Sequence, residues 1–144
     1  MKSLTLFKQT RNIQLGHLYE HIFCDFVTEY LFNKGVYASV DYVLDGKTYH
    51  GGIIVIEFAA YTEHAEAYLD TIKALRPTIT ESVMHIAWNQ VESETQMAFG
   101  HSGSTGVLEA LKELDTSPWI AFDELDVMDV NDLRRQAKPF YIST

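Results

Sequence analysis

Polar and apolar positions follow two different periods along the chain. Ser3 to Lys8 alternates, with Leu4 and Leu6 on one side and Ser3 and Thr5 on the other, and predicts a short strand in which Phe7 interrupts the polar side. From Asn12 to Asn33 the period changes. Ile13, Leu15, Leu18, Ile22, Phe26 and Tyr30 recur at helical spacings, and Gly35 follows as a candidate C-terminal cap. Apolar residues occupy several sides of this segment, so a buried helix is expected. The aromatic residues Tyr19, Phe23, Phe26, Tyr30 and Phe32 share its spacing and read mostly as core. Val36 to Leu44 alternates again, and Asp45-Gly46 reads as a tight hairpin turn. Gly52 to Ala60 contains Ile53-Ile54-Val55-Ile56, a continuous apolar run suited to a central strand.

Capping residues mark the helices that follow. Thr62 opens one from Glu63 to Leu75, stopped by Arg76-Pro77. Thr80 opens a second from Glu81 to Ala98, ended by Gly100, and Ser104 a third from Thr105 to Leu114. Trp119 to Phe122 reads as a strand, Val130 to Ala137 as a helix and Phe140 to Ser143 as a last strand. The order β-α-β-β-α-α-α-β-α-β predicts an α+β domain, with a largely antiparallel sheet packed against helices. With 144 residues and no repeat or linker, one domain over residues 1–144 is expected.

Composition narrows the function. Hydrophobic residues make up 47% and charged residues 22%, as in folded globular chains. Eleven basic against twenty acidic residues give a net charge of −9, which argues against nucleic acid or anionic lipid as a partner. No apolar run approaches the roughly 18 residues of a membrane span, and the first ten residues lack a signal-peptide core. Cys24 is the only cysteine, so neither an internal disulfide nor a CxxC site can form, and a reducing, cytoplasmic location is expected.

The first long helix contains His17-Leu18-Tyr19-Glu20-His21, an H-x-x-E-H pattern. Residues four apart share a helix face, so the two imidazoles can converge on one ion. Zn²⁺ accepts such nitrogens, needs one more protein ligand and leaves a fourth position for water. Glu20 can lean over the same site and take a proton from water as it attacks a carbonyl. The bland alternative is a pair of partly buried histidines bonded to carbonyls, with Glu20 in solvent.

The pattern is the inverzincin motif, and its surroundings resemble the pitrilysin family of metallopeptidases, which includes insulin-degrading enzyme. Trp88-Asn89-Gln90-Val91-Glu92-Ser93-Glu94 is similar to that family's second motif, N-x-V-(D/E)-S-E. The resemblance implies that Glu94, with 72 residues between it and His21, is the third zinc ligand. Helical phase agrees: Val83, Ala87, Val91, Glu94 and Ala98 form one stripe, and a charge on that apolar face calls for a partner. Glu92 competes for the role from about 160° away round the helix, beside His85, Asn89 and Gln96. Ala38, Thr48 and Tyr49 loosely echo a further family pattern, and Val130 to Tyr141 looks like the closing helix and strand of the family's half-domain. The chain departs from the family in carrying Ala87 where a further glutamate stands, and Tyr37 where an asparagine does.

The resemblance implies a minimal zinc metallopeptidase acting on peptides or small unfolded proteins. His17, His21 and Glu94 would hold Zn²⁺ and Glu20 would activate water. An extended substrate could add to the strand Val36 to Val43. Family enzymes close two homologous halves around a peptide, and this chain matches about one, so a homo-oligomer or partner chain is expected to complete the chamber. The alternatives are a non-catalytic, metal-containing module that binds peptides or a partner subunit, and a metal-free structural protein. His50, His64, His85 and His101 lack ligand spacing, Cys24 reads as core, and His101 to Gly106 as a loop before a helix. Asp123, Glu124, Asp126, Asp129 and Asp132 read as a solvated acidic loop that could attract a basic peptide.

Overall fold

A computed structural model describes residues 2–10, 12–49, 51–95 and 104–121, without the side chains of residues 94, 95, 104 and 105. The elements are β1 (Lys2–Gln9), α1 (Ile13–Asn33), β2 (Tyr42–Tyr49), β3 (Ile53–Ala60), α2 (Glu63–Glu66), α3 (Leu69–Ala74), α4 (Glu81–Thr95), α5 (Ser104–Thr116) and β4 (Ile120–Ala121). The strands form one sheet in the order β2-β3-β1-β4, and every pairing is antiparallel. The protein is therefore α+β, as the element order predicts. The helix and strand expected over Val130 to Ala137 and Phe140 to Ser143 lie outside the described residues, as do the acidic stretch, His50 and His101.

The pleat explains which side of the sheet is covered. Leu6 and Lys8 of β1, Ile54, Ile56 and Phe58 of β3, and Tyr42 and Thr48 of β2 are buried on one face. In register, Leu6 stands opposite Ile56, and Ile54 opposite Thr48. α1 lies over this face and buries Leu18, Tyr19, Ile22, Phe23, Val27 and Leu31. At about 1.5–3 kcal/mol for each large apolar side chain, this contact is a large part of what stabilises the domain. The helix starts on Asn12, whose side chain accepts from the Leu15 N–H at 3.1 Å. It ends in a Schellman turn: Gly35 N–H donates to Phe32 O, and Val36 N–H to Leu31 O. Phe32, in the last turn, is 63% exposed and is not a core residue.

Two expectations are corrected. Asp45 and Gly46 are not a turn; they lie inside β2 and pair with Glu57 and Ile56. The hairpin instead closes between Tyr49 and Ile53, where Gly51 and Gly52 both have positive φ, 91° and 75°. A side chain at Gly52 would also put its Cβ 1.9 Å from Thr10 O. Positive φ and close approach together demand glycine there, so the Gly-Gly signal prevails over Asp-Gly. The strand expected over Val36 to Leu44 accordingly shifts to Tyr42–Tyr49, leaving a loop with a bridge between Ala38 and Tyr42. Secondly, Glu63 to Leu75 is two short helices, broken at Ala67 and Tyr68. The caps are as expected: Ala65 N–H donates to Thr62 Oγ1 and Val83 N–H to Thr80 Oγ1, both at 3.2 Å.

Candidate metal centre

His17, Glu20 and His21 occupy successive positions of one face of α1 in its second and third turns. Their ligand atoms all lie within 4.8 Å of one another. His17 and Glu20 are buried, and His21 is half-buried. The imidazole rings of His17 and His21 have centroids 5.1 Å apart at an interplanar angle of 55°. A tetrahedral ion with bonds of about 2.0–2.1 Å sets its ligand atoms roughly 3.4 Å apart. The ligand atoms, within 4.8 Å of one another, would have to draw together to meet one ion.

Two neighbouring elements hold the triad. From β2, Thr48 Oγ1 donates to Glu20 Oε1 at 3.0 Å, and Thr48 is itself 1% exposed. Burying a carboxylate is costly without such donors. From α4, Gln90 Oε1 lies 3.2 Å from His21 Nδ1. With its proton on Nδ1, His21 would donate to Gln90 and leave Nε2 unprotonated and available to a metal, the usual way an outer partner fixes a ligating imidazole. Glu20 is not the solvent-facing carboxylate of the bland alternative.

Gly46 explains how the helix comes so close to β2. A Cβ at this position would stand 2.8 Å from Cys24 Sγ and 2.9 Å from Glu20 Cγ. The missing side chain lets Glu20 descend to the level of Thr48. Cys24 packs against the core, and burial, followed by the charges of Glu20, Asp25 and Asp45, pushes its thiol well above the usual range. A thiol held protonated is neither nucleophile nor ready metal ligand.

The second motif lies where α4 packs on α1. Ile22, Phe26 and Glu29 line a groove with Pro77, Val83 and Ala87, whereas His21 meets Gln90. Contacts advance in opposite directions along the two helices, so they run antiparallel. Glu94 is one turn beyond Gln90, at the end of α4 that approaches the His17 end of α1; its side chain lies outside the described residues. Of its predicted stripe, Ala87 and Val91 are buried and Val83 is half-buried. Glu92 Oε1 accepts from the Trp88 indole N–H at 2.7 Å, an interaction within α4. His85 is exposed, 3.6 Å from Glu81 on its own helix, and His64 is exposed as well. Tyr19 does not line the centre; its hydroxyl donates to Asp115 on the other side of α1.

Sequence reasoning missed Gly46 as a packing position and did not give Thr48 or Gln90 a role. The Thr48 signal was present, since it shares strand parity with Tyr42 and Leu44, but a turn at Asp45-Gly46 conceals that parity. No family model, curated protein or solved structure matches the chain. The pitrilysin resemblance is thus carried by the two motifs and their surroundings in the sequence.

Proposed function

We propose that the chain is a minimal, pitrilysin-like zinc metallopeptidase. The observation that carries this reading is the convergence of His17, Glu20 and His21 within 4.8 Å, with Glu20 buried and braced by Thr48. His17 and His21 would hold the zinc, and Glu94 would supply the third protein ligand. When bound, the metal would supply a Lewis acid for the scissile carbonyl and for water.

The chain's own groups do the rest. Glu20 accepts from Thr48 through Oε1, so Oε2 is the oxygen assigned to take a proton from attacking water and return it to the leaving amine. Gln90 keeps the His21 ring in one orientation. β2 is an edge strand and carries Thr48. An extended peptide adding to that edge would run past the triad, oriented by main-chain hydrogen bonds and read with broad specificity. On this reading the strand that receives the peptide would be β2, Tyr42–Tyr49, which overlaps the expected Val36 to Val43 only in part. A second copy or a partner chain would complete the chamber around peptides or small unfolded proteins. Among the described residues no helix is long and apolar enough to cross a membrane. A cytoplasmic setting belongs to the proposal and is supported by the lone cysteine, Cys24.

Elemental analysis is the first test. The expected result is about one zinc per chain, lost in His17→Ala and retained in Glu20→Gln. A fluorogenic peptide assay should then show cleavage by the wild type and a loss of about 10²-fold or more in Glu20→Gln. Zinc binding without cleavage, in an oligomer or a monomer, would point to the non-catalytic module. Full activity in Glu20→Gln would refute the mechanism.

A further inference from the structure

The groove between α1 and α4 is a feature that the candidate metal centre does not use. Its volume is about 240 Å³. Small-molecule pockets usually enclose roughly 300–1,000 Å³, so this hollow suits side chains presented by a partner better than a whole enclosed ligand. The floor is apolar: Ile22 and Ala87 are buried, and Phe26 is half-buried. On the α4 side Ile86 lines the groove and yet is 57% exposed. An aliphatic side chain left in water beside an apolar hollow is stabilised when a partner covers both.

Charge gives the groove a second character. Asp25 and Glu29 are exposed and are the only charged residues, among the described ones, that line it. Neither forms an ion pair among the described residues. Their own surroundings offer no cation either, since α1 and α4 contain neither lysine nor arginine. Two carboxylates four residues apart on one helix face repel each other. The pair Ile22 and Phe26 has the same spacing and runs beside them. The α1 wall therefore presents two adjacent rows, one apolar and one acidic, each one helical turn or about 6 Å long.

We propose that this groove receives a basic amphipathic helix of a partner protein. Two aliphatic side chains of that helix, one turn apart, lie against Ile22, Phe26 and Ile86. Two lysines or arginines, also one turn apart, meet Asp25 and Glu29. An extended segment offers only one row of side chains to a given side, whereas a helix offers an apolar and a basic row next to each other. The same carboxylates repel an anionic lipid surface. The groove shares no residue with His17, Glu20, His21 or Glu94, so the proposal stands or falls apart from the peptidase reading.

Fluorescence anisotropy with the full-length chain tests this. The probe is a labelled, alanine-based helical peptide carrying two leucines one turn apart, flanked on each side by two lysines one turn apart. Its analogue with glutamate in place of lysine is the control. The expected result is saturable one-to-one binding of the lysine peptide, about tenfold or more tighter than the analogue. Asp25→Lys combined with Glu29→Lys should reverse that preference, and Ile86→Ser should weaken binding of the lysine peptide roughly tenfold. All three positions are exposed, and circular dichroism checks that each variant is folded. EDTA should leave the affinity unchanged. No saturation with the lysine peptide would overturn the proposal, as would equal affinity for both peptides or an unreversed preference in the folded double variant. Loss of binding on adding EDTA to a chain that stays folded would move the peptide to the metal centre and overturn it as well. Sedimentation that shows a dimer dissolved by Ile86→Ser would give the groove to a second copy, with the same consequence.

Discussion

Thr48 and Glu20 stand 28 residues apart in sequence and meet through a single hydrogen bond in a buried setting. Its removal costs more than an exposed bond would, because the carboxylate stays buried when its donor is lost. Thr48→Val preserves shape and deletes the hydroxyl. Its unfolding free energy in urea should fall by about 1–3 kcal/mol, and Thr48→Ser should recover most of the loss. Gly46 belongs to the same local arrangement, since the pair can meet only where the strand presents no side chain to the helix. The histidines and Glu20 were legible from residue spacing because i, i+3 and i+4 fix a shared face whatever else the chain does. Thr48 and Gln90 were not legible as partners, because strand register and helix crossing bring them in from distant segments.

At the level of elements, local capping rules transferred well. Thr62, Thr80 and Gly35 each act where the sequence puts them, since a cap depends on residues only a few positions away. Hairpin placement did not transfer. Asp45-Gly46 and Gly51-Gly52 both carry turn chemistry, and the choice between them rests on tertiary contacts: Glu20 and Cys24 over Gly46, and Thr10 against Gly52. Gly52→Ala should therefore be costly, lowering unfolding free energy by about 2–4 kcal/mol through backbone strain and the clash with Thr10. Chemical denaturation measures this directly. The break between α2 and α3 was likewise hidden, because the sequence around Ala67 and Tyr68 contains neither glycine nor proline.

For the whole molecule, the buried ammonium of Lys8 couples stability to pH. Its pKa in the folded chain is about 8 against an ordinary 10.5, so between these values the unfolded chain binds more protons than the folded one. Unfolding free energy from this group rises with pH across that window. Cys24 and Tyr19, whose pKa values are raised, act in the opposite sense above their ordinary values of 9.0 and 10.0. The difference between wild type and Lys8→Met removes those contributions. That difference should grow in favour of the wild type from pH 8 to about 10.5, on the order of 1–3 kcal/mol in denaturant titrations. α1 separates this ammonium from the candidate metal centre. Tyr19 reaches one side, His17, Glu20 and His21 the other, and Leu18, Ile22 and Phe23 fill the space between. From Gly16 to Phe23 every residue except His21 is buried, so successive side chains answer to different neighbours all the way round the helix. Such a stretch has no neutral surface on which sequence drift can accumulate. Descendants of this chain could change their loops and outer helices freely, while these eight positions would have to vary, if at all, in concert with the partners around them.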